Sequence, residues 1–144
     1  MPNIIEEKIN ALKKFESDYP KIVIKLVSQF AAEIIDLNVD QLNKGVNSLG
    51  QPIEPEYRPF TVRIKKEKGQ PFNRVTLKDE GDFHDSFFLV INPTSIAIYA
   101  TDEKTAKLER KYGKEIFGLT DENLQEIIDL LKPELQNHFK ELVC

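Results

Sequence analysis

Cysteine is almost absent. The one thiol, Cys144, is the last residue, so there is no disulfide framework and no four-cysteine zinc site, and a reducing compartment is the expectation. No apolar run comes near the ~18 residues that cross a bilayer, and the start "MPNIIEEKIN" lacks the basic residues and continuous apolar core of a signal peptide. Synthesis and assembly in a cytoplasm, with no membrane partner, are therefore expected. Neither G-x-x-x-x-G-K-[ST] nor G-x-G-x-x-G occurs, so nucleotide binding has no support. Internal repeats, low-complexity tracts and charged tails are missing as well. The net charge of −4 argues against gripping duplex DNA by bulk electrostatics, although it leaves room for a local basic patch. What is present is 144 residues, 40% hydrophobic and 31% charged, which suits one soluble domain with its own core.

Ile5, Ile9, Leu12 and Phe15 recur at helical spacing over residues 3–16, which predicts a short amphipathic helix. Ser17 or Asp18 then offers a cap and Pro20 a first turn for a long core helix. Its stripe is Val23, Leu26, Val27, Phe30, Ile34 and Leu37, and Gly45 is its natural stop. Residues 46–80 concentrate proline, glycine and basic side chains and read as an extended arm. Within it "FTVRIKKEKG" fits either a short helix ending at Gly69 or an extended edge segment. "SFFLVIN" and "SIAIYA" around "NPT" predict a β-hairpin, Phe87 to Ala100, in a unit spanning 83–100. Residues 101–143 are expected to be helical. Thr101 and Thr120 are the candidate caps, Gly113 ends the first helix, and Pro133 is expected to bend or split the amphipathic last one. In the link "YGKEIFGLT", Ile116, Phe117 and Leu119 are expected to plug the core. The fold class is α+β, a hairpin or small antiparallel sheet packed with helices, in one domain over 1–144, and the apolar stripes of the terminal helices read as core.

Three constellations bear on chemistry. "KDEGDFHD" gathers Asp79, Glu80, Asp82, His84 and Asp85 within seven positions, a ligand set for a divalent cation and so the alternative of a metal-dependent enzyme, but with no second His or Cys nearby it is favoured as a solvated turn in which Gly81 and Asp82 start the strand. Ser86 beside His84 and Asp85 does not make a triad, because adjacent strand residues point to opposite faces. Arg58, Arg63, Lys65, Lys66, Lys68, Arg74 and Lys78 fall within 21 residues, interleaved with Phe60 and Phe72. That pattern suits DNA or an acidic protein face, against the plainer reading of a solvated surface balanced by Glu67, Asp79 and Glu80. Tyr57, Phe60 and Phe72 are candidate interface anchors, as aromatics on a polar segment, with Tyr112 and Phe117 of the link beside them. No catalytic residue, metal or cofactor is expected.

Taken in order, "LNKGVNSLGQPIEPEYRPFTVRIKKEKGQP", "VTLKDEGDFHDSF", a hairpin and "KTAKLERKYGKEIFGLT" with a final helix resemble bacteriophage and prophage virion-morphogenesis proteins of the tail-completion or neck type. The resemblance runs from Leu42 to about Leu131. It is carried by Tyr57 and Pro59, by Lys65 to Gly69, by Leu77 to Gly81 with Ser86, and by Tyr112 with Gly113. The chain departs from the pattern at Glu80, where related proteins often carry Thr, and over its first forty residues. What the resemblance implies is a non-enzymatic virion component, a head-tail connector, neck or tail-completion protein, made and assembled in the bacterial host cytoplasm. Its partners would be copies of itself in a ring and other structural proteins, with DNA in the lumen as a further contact and no small-molecule substrate.

Overall fold

The computed structural model describes residues 4–93 and 95–143; Asn3 of the first expected helix, Thr94 of the expected turn and Cys144 lie outside the described residues. Among the described residues the chain is α+β, with helices packed around one two-stranded antiparallel sheet. The first helix, α1 (Ile4–Ser28), runs straight through the expected boundary at Ser17–Pro20. A proline inside a helix removes one hydrogen bond and costs about 3 kcal/mol. Here Pro20 and Glu16, the residue one turn before it, are both exposed, so water can serve the freed carbonyl. Ser17 does not cap; its hydroxyl donates back to the Lys14 carbonyl at 3.1 Å. The chain breaks instead at Gln29 and Phe30, whose N–H groups reach Leu26 O and Val27 O at 3.1 and 2.9 Å. The second helix, α2 (Ala31–Asn43), follows, so the long helix expected after Pro20 is divided here. Gly45 does end it, at φ +75°, where a Cβ would stand 2.7 Å from Cβ of Arg74.

Residues 46–80 do not form an extended arm. Pro59–Glu67 is a helix, α3, with Pro59 in its first turn and Gly69 (φ +69°) just past its end. Of the two readings of "FTVRIKKEKG", the helix is the one that forms. On either side the chain places Ile53, Val75 and Leu77 in the core with Leu42, Phe83, Phe87, Ala100 and Ile116. The segment is held to the body because these side chains lose water only there, at about 25 cal/mol per Å² of apolar surface.

The hairpin consists of β1 (Phe87–Ile91) and β2 (Ile96–Ala100), in register from Phe87 opposite Ala100 to Ile91 opposite Ile96. Its unit does not begin as strand at 83. Gly81, left-handed at φ +98°, leads into a helical turn, α4 (Asp82–Asp85), which buries Phe83 and His84. Thr101 does not cap the next helix, α5 (Thr105–Tyr112), which begins too far along the chain and has no side-chain cap; Thr101 N–H goes to Ser86 O at 3.2 Å. Asp102 forms the turn that leads into it, its carboxylate accepting from Lys104 N–H at 3.0 Å and its carbonyl from Thr105 N–H at 3.1 Å. Gly113 closes α5 as expected. A single 3-10 turn, Lys114–Ile116, then buries Ile116 completely. Thr120 caps α6 (Asp121–Val143), its hydroxyl oxygen accepting from Asn123 N–H at 3.2 Å. Pro133 does not split α6; it and Asp129, one turn earlier, are both exposed.

Two carboxamides on α2 hold the link. Asn38 is fully buried, donating to Ile116 O at 3.0 Å and accepting from Gly118 N–H at 2.9 Å. Gln41 continues the pattern, donating to Gly118 O and accepting from Thr120 N–H, each at 2.9 Å, and from the Asn123 side chain at 2.7 Å. Asn38→Ala leaves Ile116 O and Gly118 N without partners, so a loss of roughly 2 kcal/mol or more is expected. Urea unfolding should show it as a lower midpoint at constant slope; an unchanged midpoint would mean that water replaces the amide at no cost.

Candidate functional site

Residues distant in sequence converge. Tyr57, Lys65, Leu77, Gly81 and Tyr112 line one cavity of about 170 Å³ beneath α3, together with Lys104. The Tyr57 hydroxyl accepts from Thr76 N–H at 3.0 Å, and its ring faces the Lys65 ammonium at 4.9 Å. Lys65 is buried and donates to Lys78 O at 2.7 Å. Beside it, His84 Nε2 lies 2.8 Å from Thr76 O. A carbonyl only accepts, so Nε2 carries the proton. Leu77 takes φ +58°, which turns the chain between these contacts. Lys65, Tyr57 and His84 each spend their polar atoms on the backbone of residues 76–78, a structural use.

The expected interface aromatics divide into two groups. Tyr57, Tyr112 and Phe117 are half-buried against the body's own core. Phe117 stacks on Tyr99, Phe87 and Phe83, with ring centroids 5.0, 5.4 and 6.0 Å away. Phe60 and Phe72 are exposed, and Lys66 lies 4.8 Å over the Phe72 ring. The basic run divides too. Lys65 points inward, Lys68 pairs with Asp79 at 3.0 Å, and Arg74 donates to Asn43 O and to Asn73. Arg58, Arg63 and Lys66 face outward. The cations that neighbour one another in sequence therefore do not form one surface.

The acidic turn is taken apart in the same way. The hydrogen bond from Lys68 holds the Asp79 carboxyl below the usual range, His84 turns inside, and Asp82 and Asp85 stay exposed on α4. Gly81 and Asp82 start a helical turn rather than a strand, and the turn is only partly solvated. No group of three His, Cys, Asp or Glu among the described residues is placed to hold a metal ion. Ser86 Oγ donates to Phe83 O at 2.8 Å and accepts from Asp102 N–H at 3.0 Å, a structural use of the hydroxyl. No helix among the described residues is long and apolar enough to cross a membrane.

The surface that the sequence reading misses is the pair of terminal helices. α1 lies against α6, with Phe15 packed on His138 and Phe139 at ring centroids 6.1 and 5.7 Å apart. The roots of both helices, at Val27 and Leu124, meet beside the hairpin, so the two run antiparallel. Their stripes were expected in the core, yet Ile5, Ile9, Leu12 and Tyr19 of α1 and Leu124, Ile128, Leu130 and Phe139 of α6 are exposed. An open groove of about 580 Å³ lies between them, lined by Phe15, Tyr19, Leu135 and Phe139. The signal was present in the sequence as two stripes of similar length at opposite ends of the chain. Periodicity identifies an apolar face without saying how many neighbours it has.

Comparison with protein families, with curated proteins and with solved structures returns no match.

Burial holds the His84 imidazole below its ordinary value; the Thr76 carbonyl and Asp85 oppose this, while Lys78 and Lys65 reinforce it. The unfolded chain therefore binds the proton first, and stability should be level above about pH 6.5 and fall as the pH drops below it. His84→Gln, which keeps a donor for Thr76 O, should flatten that part of the curve in urea unfolding between about pH 7 and 5.5. Equal slopes in the two proteins would assign the dependence to other groups.

Proposed function

We propose that this chain is a non-enzymatic structural or assembly protein that works through subunit contacts, in the setting the resemblance implies, a phage-type particle. One observation carries the reading. The body completes its own core around Leu42, Phe87 and Ile116, and the terminal helices still turn apolar stripes outward. Aligned apolar exposure of this kind marks a surface that meets another protein. The resemblance adds the particle, at the head-tail joint, neck or tail end, and the virion as the protein's destination. It also makes copies of the chain and neighbouring particle proteins the partners. Tyr57, Lys65, Leu77 and Tyr112 then serve by building the rigid junction under α3.

A second reading has its own observation. Arg58, Arg63 and Lys66 are exposed, as are Phe60 and Phe72, and Lys66 lies over the Phe72 ring, a pairing of cation and aromatic that suits a single-stranded nucleic acid. Sedimentation velocity over a concentration series, run beside fluorescence anisotropy with single-stranded DNA, separates the two. Assembly predicts concentration-dependent association and DNA affinity unaffected by Arg63→Glu with Lys66→Glu. A monomer that binds DNA in a salt-sensitive way, and loses roughly tenfold or more in affinity with that double variant, would replace assembly by nucleic-acid binding.

A further inference from the structure

The α1/α6 pair is incomplete as a packing unit. On α1 the residues Ile5, Ile9, Leu12 and Tyr19 follow the spacing of four, three and seven that makes a coiled-coil stripe. On α6 the stripe runs Leu124, Ile128, Leu131, Leu135, Phe139 and Leu142, in steps of four, three, four, four and three. Each helix meets the other and, less extensively, the body, α1 against β1 and α6 against α2, and still leaves Ile5 66%, Ile9 46%, Leu124 47% and Phe139 42% exposed. From Ile5 to Tyr19 and from Leu124 to Phe139 the stripes are matched at about 21 Å and 22 Å, given 1.5 Å per residue.

We infer that a second copy of this chain covers this face, its α1/α6 pair completing a four-helix bundle in which each α1 lies against the partner's α6. The inference rests on the assembly reading and names its partner. Charge selects the pairing. α1 carries five lysines against four acidic residues, a net +1, and α6 carries two lysines against six acidic residues, a net −4. Packing α6 on a second α6 sets like charges together, whereas α1 on α6 alternates them around the bundle. Size agrees as well. Helices of 25 and 23 residues are about 35 Å long, and side by side they are roughly 20 Å wide, which gives a face of up to about 700 Å². A stable interface of standard size buries about 800 Å² per partner.

Light scattering across a concentration series tests it, with the Ile5→Glu/Ile9→Glu double variant beside the wild type. These side chains are the most exposed of the α1 stripe, so the change leaves the core untouched; circular dichroism confirms that the helices persist. Phe60→Glu and Leu49→Glu, at positions 70% and 67% exposed on the body, are the controls. The wild type and both controls should reach twice the 16.6 kDa chain mass, and the double variant should need a roughly 100-fold higher concentration to do so. A dimer that Ile5→Glu/Ile9→Glu leaves unchanged, or a larger ring, would overturn this pairing and leave the assembly reading in place. A wild type that stays at 16.6 kDa throughout would overturn the pairing by itself, and combined with salt-sensitive DNA binding it would remove the assembly reading too.

Discussion

Two side-chain amides on one helix hold the two halves of this chain together. Asn38 and Gln41 stand three residues apart on α2 and present the link from Ile116 to Thr120 with alternating donors and acceptors, as a neighbouring strand would. A helix has no free backbone groups along its side, so only side chains can do this. With the link fixed, Ile116 closes the core, Phe117 reaches the hairpin rings, and Thr120 sets where α6 begins. The direction of α6, and with it the groove against α1, follows from that anchor. Ser48 N–H, bonded to Glu115 O at 2.8 Å, ties the start of the 46–80 segment to the same place.

Local signals were legible in proportion to how local their causes are. Gly113, Thr120 and the β-branched residues of the hairpin act on their immediate neighbours, and each does what its chemistry indicates. Ser17, Asp18 and Pro20 carry an equally good local signal and lose, because the α1 stripe continues past them and α6 packs along it. Residues 46–80 look like a tether in composition, since proline and lysine dominate. Their fate is decided by Ile53, Val75 and Leu77, one isolated aliphatic and one short pair, too few to set up a periodic stripe. Asn38 and Gln41 gave no warning, because a polar residue on a helix is read as solvent-facing until its partner, nearly eighty residues away, is known.

The candidate site shows the same division. Cations and carboxylates close in sequence invited a single electrostatic surface, but a helix and a helical turn send neighbouring side chains to different sides. Lys65 and His84 go inside, where each satisfies a carbonyl that no other donor reaches, and Lys68 and Asp79 neutralise one another at the surface. Tyr57, Lys65, Leu77, Gly81 and Tyr112 meet in one cavity, where they brace α3 against the segment that leads into the hairpin.

The antiparallel contact of α1 with α6 also orders events in time. During synthesis α1 is complete at Ser28, while α6 starts only at Asp121 and holds the residues that α1 packs on. Contacts between such distant segments form late, after the loop between them has been closed. Until then the nascent chain carries a bare apolar stripe, which the cell's chaperones are placed to shield. Any association that uses the completed α1/α6 face is thereby postponed until translation has passed α6.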